Sequence, residues 1–162
     1  MEVLPDVLKS GLKIVFCGTA VGTKSAQVGA YYAGVGNQFW NILYKTGLTS
    51  YRLDPLEFQS LLNFGIGLTD LAKRKFGTDK DIYSSEFDVN GFISKITKYS
   101  PKALAFNGKR AAEEYSGHQV DYGRQLDQIG RTLIFVLPST SGAAHGYWDE
   151  SSWIELAEFV NK

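Results

Sequence analysis

The chain has 162 residues, the size of one domain, and its 44% hydrophobic and 21% charged residues are a globular composition. Seventeen Lys and Arg balance 17 Asp and Glu, so net charge does not call for a polyanion, although a local basic face is compatible with one. One cysteine, Cys17, and two histidines, His118 and His145, exclude an internal disulfide and a cysteine-ligated zinc or iron–sulfur site; no metal and no cofactor is expected.

Met1–Ser10 lacks a basic start followed by a long apolar run. No stretch reaches the ~18 to 20 apolar residues that span a bilayer. The expected location is the cytosol, or the nucleus if the cell has one, with no membrane partner. Leu12–Cys17 (LKIVFC) is apolar and β-branched, stops at Gly18, and reads as a buried strand. After a glycine-rich loop, Asn37–Thr46 carries Phe39, Trp40, Ile42, Leu43 and Tyr44 at helical spacing, ended by Gly47. Asp54 caps a second helix to Leu62, with Pro55 in its first turn. Ile66–Thr69 is a short strand. Ser84 or Ser85 caps a helix through Phe87, Phe92, Ile93 and Ile96, closed before Pro101.

Ala103–Phe106 is a third strand and Lys109–Tyr115 a short helix. Thr132–Leu137 (TLIFVL) is a fourth strand, stopped by Pro138. Ser152 and Glu155 form a capping box for a last helix bearing Trp153, Leu156, Ala157 and Phe159. Short apolar strands alternating with helices predict one α/β domain over residues 1–162. Its three layers would be a central four-stranded, mainly parallel sheet between helices. Ligands in such folds sit beyond the carboxyl ends of the strands. The segments that matter are therefore Gly18–Gly36, Asp70–Lys75, Asn107–Lys109 and Ser139–Trp148.

The first of these reads GTAVGTKSAQVGAYYAGVG. As a phosphate-binding loop it is a poor match, because three residues rather than four separate Gly18 from Gly22 and Thr23 stands where Gly precedes the Lys. As plain structure, its glycines make turns and its aromatics join the core. As a base site, Tyr31 and Tyr32 offer a flat face for stacking. The fourth-strand loop, LPSTSGAAHGYW, combines small residues with a glycine and permits close backbone approach to a ligand, or is an ordinary turn. Lys73, Arg74, Lys75, Lys109, Arg110 and Arg124 are candidates for a basic face.

Four of these segments are informative together. Leu12–Trp40, GLTDL at Gly67–Leu71, FNGK at Phe106–Lys109 and LPSTSGAA at Leu137–Ala144 resemble, in order, the mismatch-specific uracil-DNA and thymine-DNA glycosylases of the uracil-DNA glycosylase superfamily. The resemblance implies a monomer acting on DNA. It implies hydrolytic removal of a flipped-out uracil, or a related base opposite guanine, which leaves an abasic site. It also implies roles. Tyr32 would stack on the base. Gly18 to Gly22, with Thr19 and Ala20, would wall the water side. Asn37 and the Phe39-Trp40 pair would form the floor. Ser139 would stand at the base-contacting position. Ser25, Ser141, Gly142, Ala143, Ala144, Lys109 and His145 would face DNA. Ala20 replaces the usual water-positioning Asn, Val21 and Val35 replace prolines, Ser139 replaces an Asn, and Ala143 lies near the place of a larger wedge residue.

Hydrolysis of the base–sugar bond needs a group that orients water and tolerates a developing oxocarbenium centre. A methyl group at Ala20 cannot do this; a carboxylate can. Asp70 follows the second predicted strand at the ligand end and is the candidate, unless it merely caps a helix starting at Leu71. Asp79, Asp81 and Glu86 read as solvated, and Cys17 as a buried strand residue. A second reading keeps the fold and drops the chemistry: a protein that binds damaged DNA without cutting the glycosidic bond.

Overall fold

The computed structural model describes residues 1–162. Five strands form one sheet in the order β2-β1-β3-β5-β4. They are β1 (Ile14–Gly18), β2 (Ile66–Asp70), β3 (Ala103–Asn107), β4 (Gly123–Ile129) and β5 (Thr132–Leu137). β1 pairs in parallel with β2 and β3, and β3 with β5; β4 runs antiparallel to β5. The fifth strand was not expected. β4 (GRQLDQI) is an edge strand with its middle exposed, so it lacks the apolar run that marks its neighbours.

The buried strands show why helices cover both faces. Ile14 and Phe16 enter one apolar layer while Val15 and Cys17 enter the other; Ala103 and Ala105 oppose Leu104 and Phe106 in the same way. Successive side chains point to opposite faces, so a strand apolar at every position must be packed on both. The covering helices are α1 (Thr23–Val28), α2 (Phe39–Lys45), α3 (Val89–Tyr99), α4 (Lys109–Ser116) and α5 (Ser151–Val160). None is long and apolar enough to cross a membrane.

Local structure departs from expectation at several helix ends. The Asp54 capping box forms, but Pro55–Phe64 is 3₁₀ helix, interrupted where Glu57 takes φ −88° and ψ 15°. α3 starts at Val89, capped by the Asp88 carboxylate accepting from the Gly91 N–H; Ser84–Glu86 is a separate 3₁₀ turn. α5 starts one residue before Ser152, and Asp149 rather than a Ser152 box accepts from the Ser151 N–H at 2.8 Å. α1, six residues long, was hidden in the glycine-rich loop.

The N-terminal segment seals the other sheet edge. Val7 bridges Leu68 of β2 antiparallel, and the Tyr31 hydroxyl donates to the Pro5 carbonyl at 3.0 Å. Asp6 receives Lys73 at 2.9 Å, Lys95 at 2.6 Å and the Thr69 hydroxyl at 2.7 Å. These donors hold its carboxylate below its ordinary pKa, against the upward push of burial.

Candidate active site

The parallel strands all end on one side, and register places Gly18 beside Asp70 and Asn107 beside Leu137. A cavity of about 790 Å³ opens there, lined by Gly18–Ser25, Tyr32, Asp70, Gly77–Lys80, Asn107–Ala111 and Ser139–Ala144. That is ample for one base and sugar, within the range of small-ligand sites.

Asp70 ends β2 inside this cavity and is only 4% exposed. No helix follows it, so it is not a helix cap. Its Oδ1 lies against Gly18: a Cβ there would stand 2.8 Å from that oxygen, so glycine is required for the carboxylate to fit. Its Oδ2 is buried with no hydrogen-bond partner. Burial raises its pKa to about 7, with Lys73 pulling the other way. A buried carboxylate with one oxygen unpartnered is costly, and its persistence in a cavity marks a candidate functional group.

Tyr32 adopts φ +53°, rare for a residue with a side chain. Its ring stacks on Phe39 with centroids 4.0 Å apart. Its hydroxyl is buried, unpartnered, beside the Asn107 amide, and burial with the nearby Asp70 charge pushes the phenol pKa up. Tyr31, 2% exposed, is core: its hydroxyl is tied to Pro5 and Lys73. Phe39 is fully buried behind Tyr32 and does not line the cavity, contrary to its expected place in the floor. It supports the ring that does.

The loops that close the cavity are tied together. The Asn107 amide donates to Thr140 Oγ1 at 2.9 Å and its carbonyl accepts from the Thr140 N–H at 3.0 Å. Thr140 also accepts the Gln38 N–H at 2.8 Å. Gly142 approaches the other rim so closely that a Cβ would stand 2.9 Å from the Val35 carbonyl. Asn37 lines the cavity, but its side-chain oxygen accepts the Phe39 N–H at 3.0 Å, starting α2. Buried Ser25 reaches the cavity wall and accepts the Ala33 N–H at 2.9 Å, so it also braces the Tyr32 loop. Ser139 and Ser141 cap the turn that follows β5 through the N–H groups of Ser141 and Ala143.

The rim carries cations. Lys24, Lys80, Lys109 and Arg110 line it. Lys109 sits over the Tyr122 ring at 4.4 Å, and Arg110 donates to the Asp79 and Ile82 carbonyls. Lys73 does not join this face, because it is committed to Asp6 with its side chain 10% exposed. Asp79 is exposed at the rim and accepts from Thr19 Oγ1 at 2.9 Å. Thr19, Ala20, Gly142, Ala143 and Ala144 all line the cavity. His145 is exposed and outside the cavity.

The family model of the Uracil DNA glycosylase superfamily matches residues 5–157, which spans every strand and every cavity loop. The chain belongs to the uracil DNA glycosylase superfamily. Its fold is similar to a solution NMR structure from Methanosarcina acetivorans, a protein provisionally described as a uracil DNA glycosylase. The TM-score is 0.66 at 23% identity, over 98% of this chain and 97% of that one.

For a superfamily member, the cavity also holds residues that sequence reasoning passed over. Asn107 lay in a quoted motif, but its tertiary partner Thr140 is 33 residues away. Lys24, Lys80 and Tyr147 line the same cavity. Lys24 and Tyr147 lie in the segments already singled out after β1 and β5, whereas Lys80 lies beyond Asp70–Lys75; their residue types alone carry no signal.

Proposed function

We propose that this chain is a DNA glycosylase that takes a uracil, or a related deaminated or mismatched base, out of the helix and hydrolyses its bond to the sugar. The observation that carries the reading is the buried Asp70 carboxylate at the strand ends, its Oδ2 without a hydrogen-bond partner, in a cavity lined by the Tyr32 ring. In its ionised form Asp70 holds water for attack on the sugar carbon and takes the proton released. The carbon–nitrogen bond breaks, and its electron pair leaves with the base. A pKa of about 7 suits a base working at neutral pH. The Asn107 amide, bound twice to Thr140 and lying beside the Tyr32 hydroxyl, puts a polar group in the cavity lining.

Ala20 on the wall offers only a methyl group, and this favours the second reading, a protein that senses a damaged base without excising it. One assay separates them. Incubation with uracil-containing duplex followed by alkali gives strand breaks at abasic sites if the chain is a glycosylase; intact strands with retained binding leave only the sensor. Running the same assay with hypoxanthine, xanthine and thymine opposite guanine ranks the bases.

Binding should depend strongly on salt, since a chain of zero net charge relies on a few rim cations. Lys109→Ala should weaken DNA binding and lower the slope of log affinity against log salt by about one unit. An unchanged slope would place the DNA path away from α4.

A further inference from the structure

The N-terminal segment reaches the surroundings of Asp70 through one carboxylate. Asp6 accepts from Lys73 at 2.9 Å, from Lys95 at 2.6 Å and from the Thr69 hydroxyl at 2.7 Å. Two of these partners bracket Asp70 in the chain: Thr69 precedes it and Lys73 follows three residues later. Lys73 has further ties. Its ammonium donates to the Tyr31 hydroxyl at 3.0 Å, and its carbonyl accepts the Val3 N–H at 2.8 Å. The largely buried ammonium is thus held in a clasp, does not line the cavity and leaves Asp70 Oδ2 without a partner.

An ammonium with little access to water, near a buried carboxylate, is drawn to pair with it. Pairing with Asp70 would occupy Oδ2 and lower the basicity of the carboxylate. Something must hold Lys73 elsewhere, and the residue that does so lies far away along the chain.

We propose that Asp6 is a positioning residue: by clasping Lys73 it keeps the ammonium off Asp70 and leaves the Oδ2 oxygen free to hold water. The inference rests on the reading of Asp70 as the base of this cavity. The charges around Asp70 agree with it. Burial raises the Asp70 pKa most; Lys73 draws it down, Asp6 raises it, and the Gly18 backbone and Lys95 act downward. Cys17 on β1 and Tyr31 and Tyr32 after α1 also face this carboxylate, and burial with its charge pushes all three pKa values up, so they stay neutral at pH 7. Asp79 and the cations Lys24, Lys80, Lys109 and Arg110 line the same cavity.

The test is the pH profile of single-turnover excision by the parent, Asp6→Asn, Lys73→Met and the double variant. Asp6→Asn releases Lys73 to Asp70. Its acid limb should move about one pH unit or more toward acid, the effect of an opposite charge at close range. Its plateau above pH 7 should fall about tenfold, part of the loss expected when a positioned base is blocked. Lys73→Met should move the limb the other way. In the Lys73→Met background Asp6→Asn should add little, because it acts through Lys73. An equal acidward shift in both backgrounds would mean that Asp6 acts by its own charge. A lower plateau with an unmoved limb would mean that it only supports the fold. Either result, or an unchanged profile, would overturn the assignment. Asp6→Ser, which also lacks the charge, serves if Asp6→Asn does not fold. Should the parent cleave no target base, the functional reading fails separately. The clasp is then read from NMR titration of the Asp70 carboxyl carbon, assigned with Asp70→Asn. Its midpoint should fall in Asp6→Asn and rise in Lys73→Met; equal midpoints in parent and variants would overturn the assignment.

Discussion

Asp70→Ala is expected to lower single-turnover excision by ~10² to 10⁴-fold, the range for a positioned acid–base group, while DNA affinity changes little. Asp70→Asn keeps the shape against Gly18 and removes the charge, so it tests the base role more cleanly. An amide can still hold water by hydrogen bonds but cannot take its proton. The parent rate should rise about tenfold per pH unit below pH 7 and level above it, following ionisation of a group whose pKa is about 7. Asp70→Asn should lose that acid limb. A parent profile flat from pH 5 to 8, or near-parent turnover by Asp70→Ala, would remove Asp70 from the chemistry.

Stability gives an independent signature with the opposite sign. The folded pKa of Asp70 is raised from 3.8 to about 7, so the folded state binds the proton more tightly than the unfolded chain. Its contribution is fully present below about pH 4 and is lost as pH rises through 7, on the order of 4 kcal/mol. Asp70→Asn cannot ionise. It should therefore unfold at a higher temperature than the parent at pH 8, with the advantage shrinking toward pH 5. A variant more stable yet far less active is what a functional carboxylate implies, and a purely structural Asp70 would move both in the same direction.

Tyr32→Ala is the second large effect. The ring has one face on Phe39 and sits in the cavity wall, so it can replace one lost neighbour of a flipped base. Base–aromatic stacking is worth roughly 1 to 3 kcal/mol, or about 5- to 150-fold in excision rate. Tyr32→Phe should keep most activity. It should also gain stability on the order of 1 kcal/mol, because it removes a buried hydroxyl that has no partner. Tyr31→Ala is the control: that ring is core, and its loss should cost about 3 to 5 kcal/mol of stability. Equal activity losses for Tyr32→Phe and Tyr32→Ala would shift the role from the ring to the hydroxyl.

The place of Asp70 was legible because an acidic residue ending an apolar strand is a local pattern. That Tyr31 is core while Tyr32 is only partly buried was not legible, because alternation on an irregular loop has no fixed period. Phe39 shows the limit. Its apolar side chain and helix-start position suit either the cavity floor or the core, and only the stacking of Tyr32 over it decides. Lys73 shows another. In the sequence it heads a run of cations, Lys73-Arg74-Lys75, yet Asp6, far away along the chain, draws it into an ion pair and out of the basic face.

By itself the sequence determined the parallel core. Strands apolar at every position can be satisfied only between two helical layers, and that pattern is local. It also determined that the loops after β1, β2, β3 and β5 gather at one end, because connection order sets which strand ends face the same way; they line the cavity there. Tertiary structure alone decided the rest. The edge strand β4 is held by pairing to β5 rather than by its own apolar pattern. The Asn107–Thr140 clasp joins residues that share no local motif. That Asp70 Oδ2 is buried without a partner is a property of what surrounds it, and burial is summed over the whole fold.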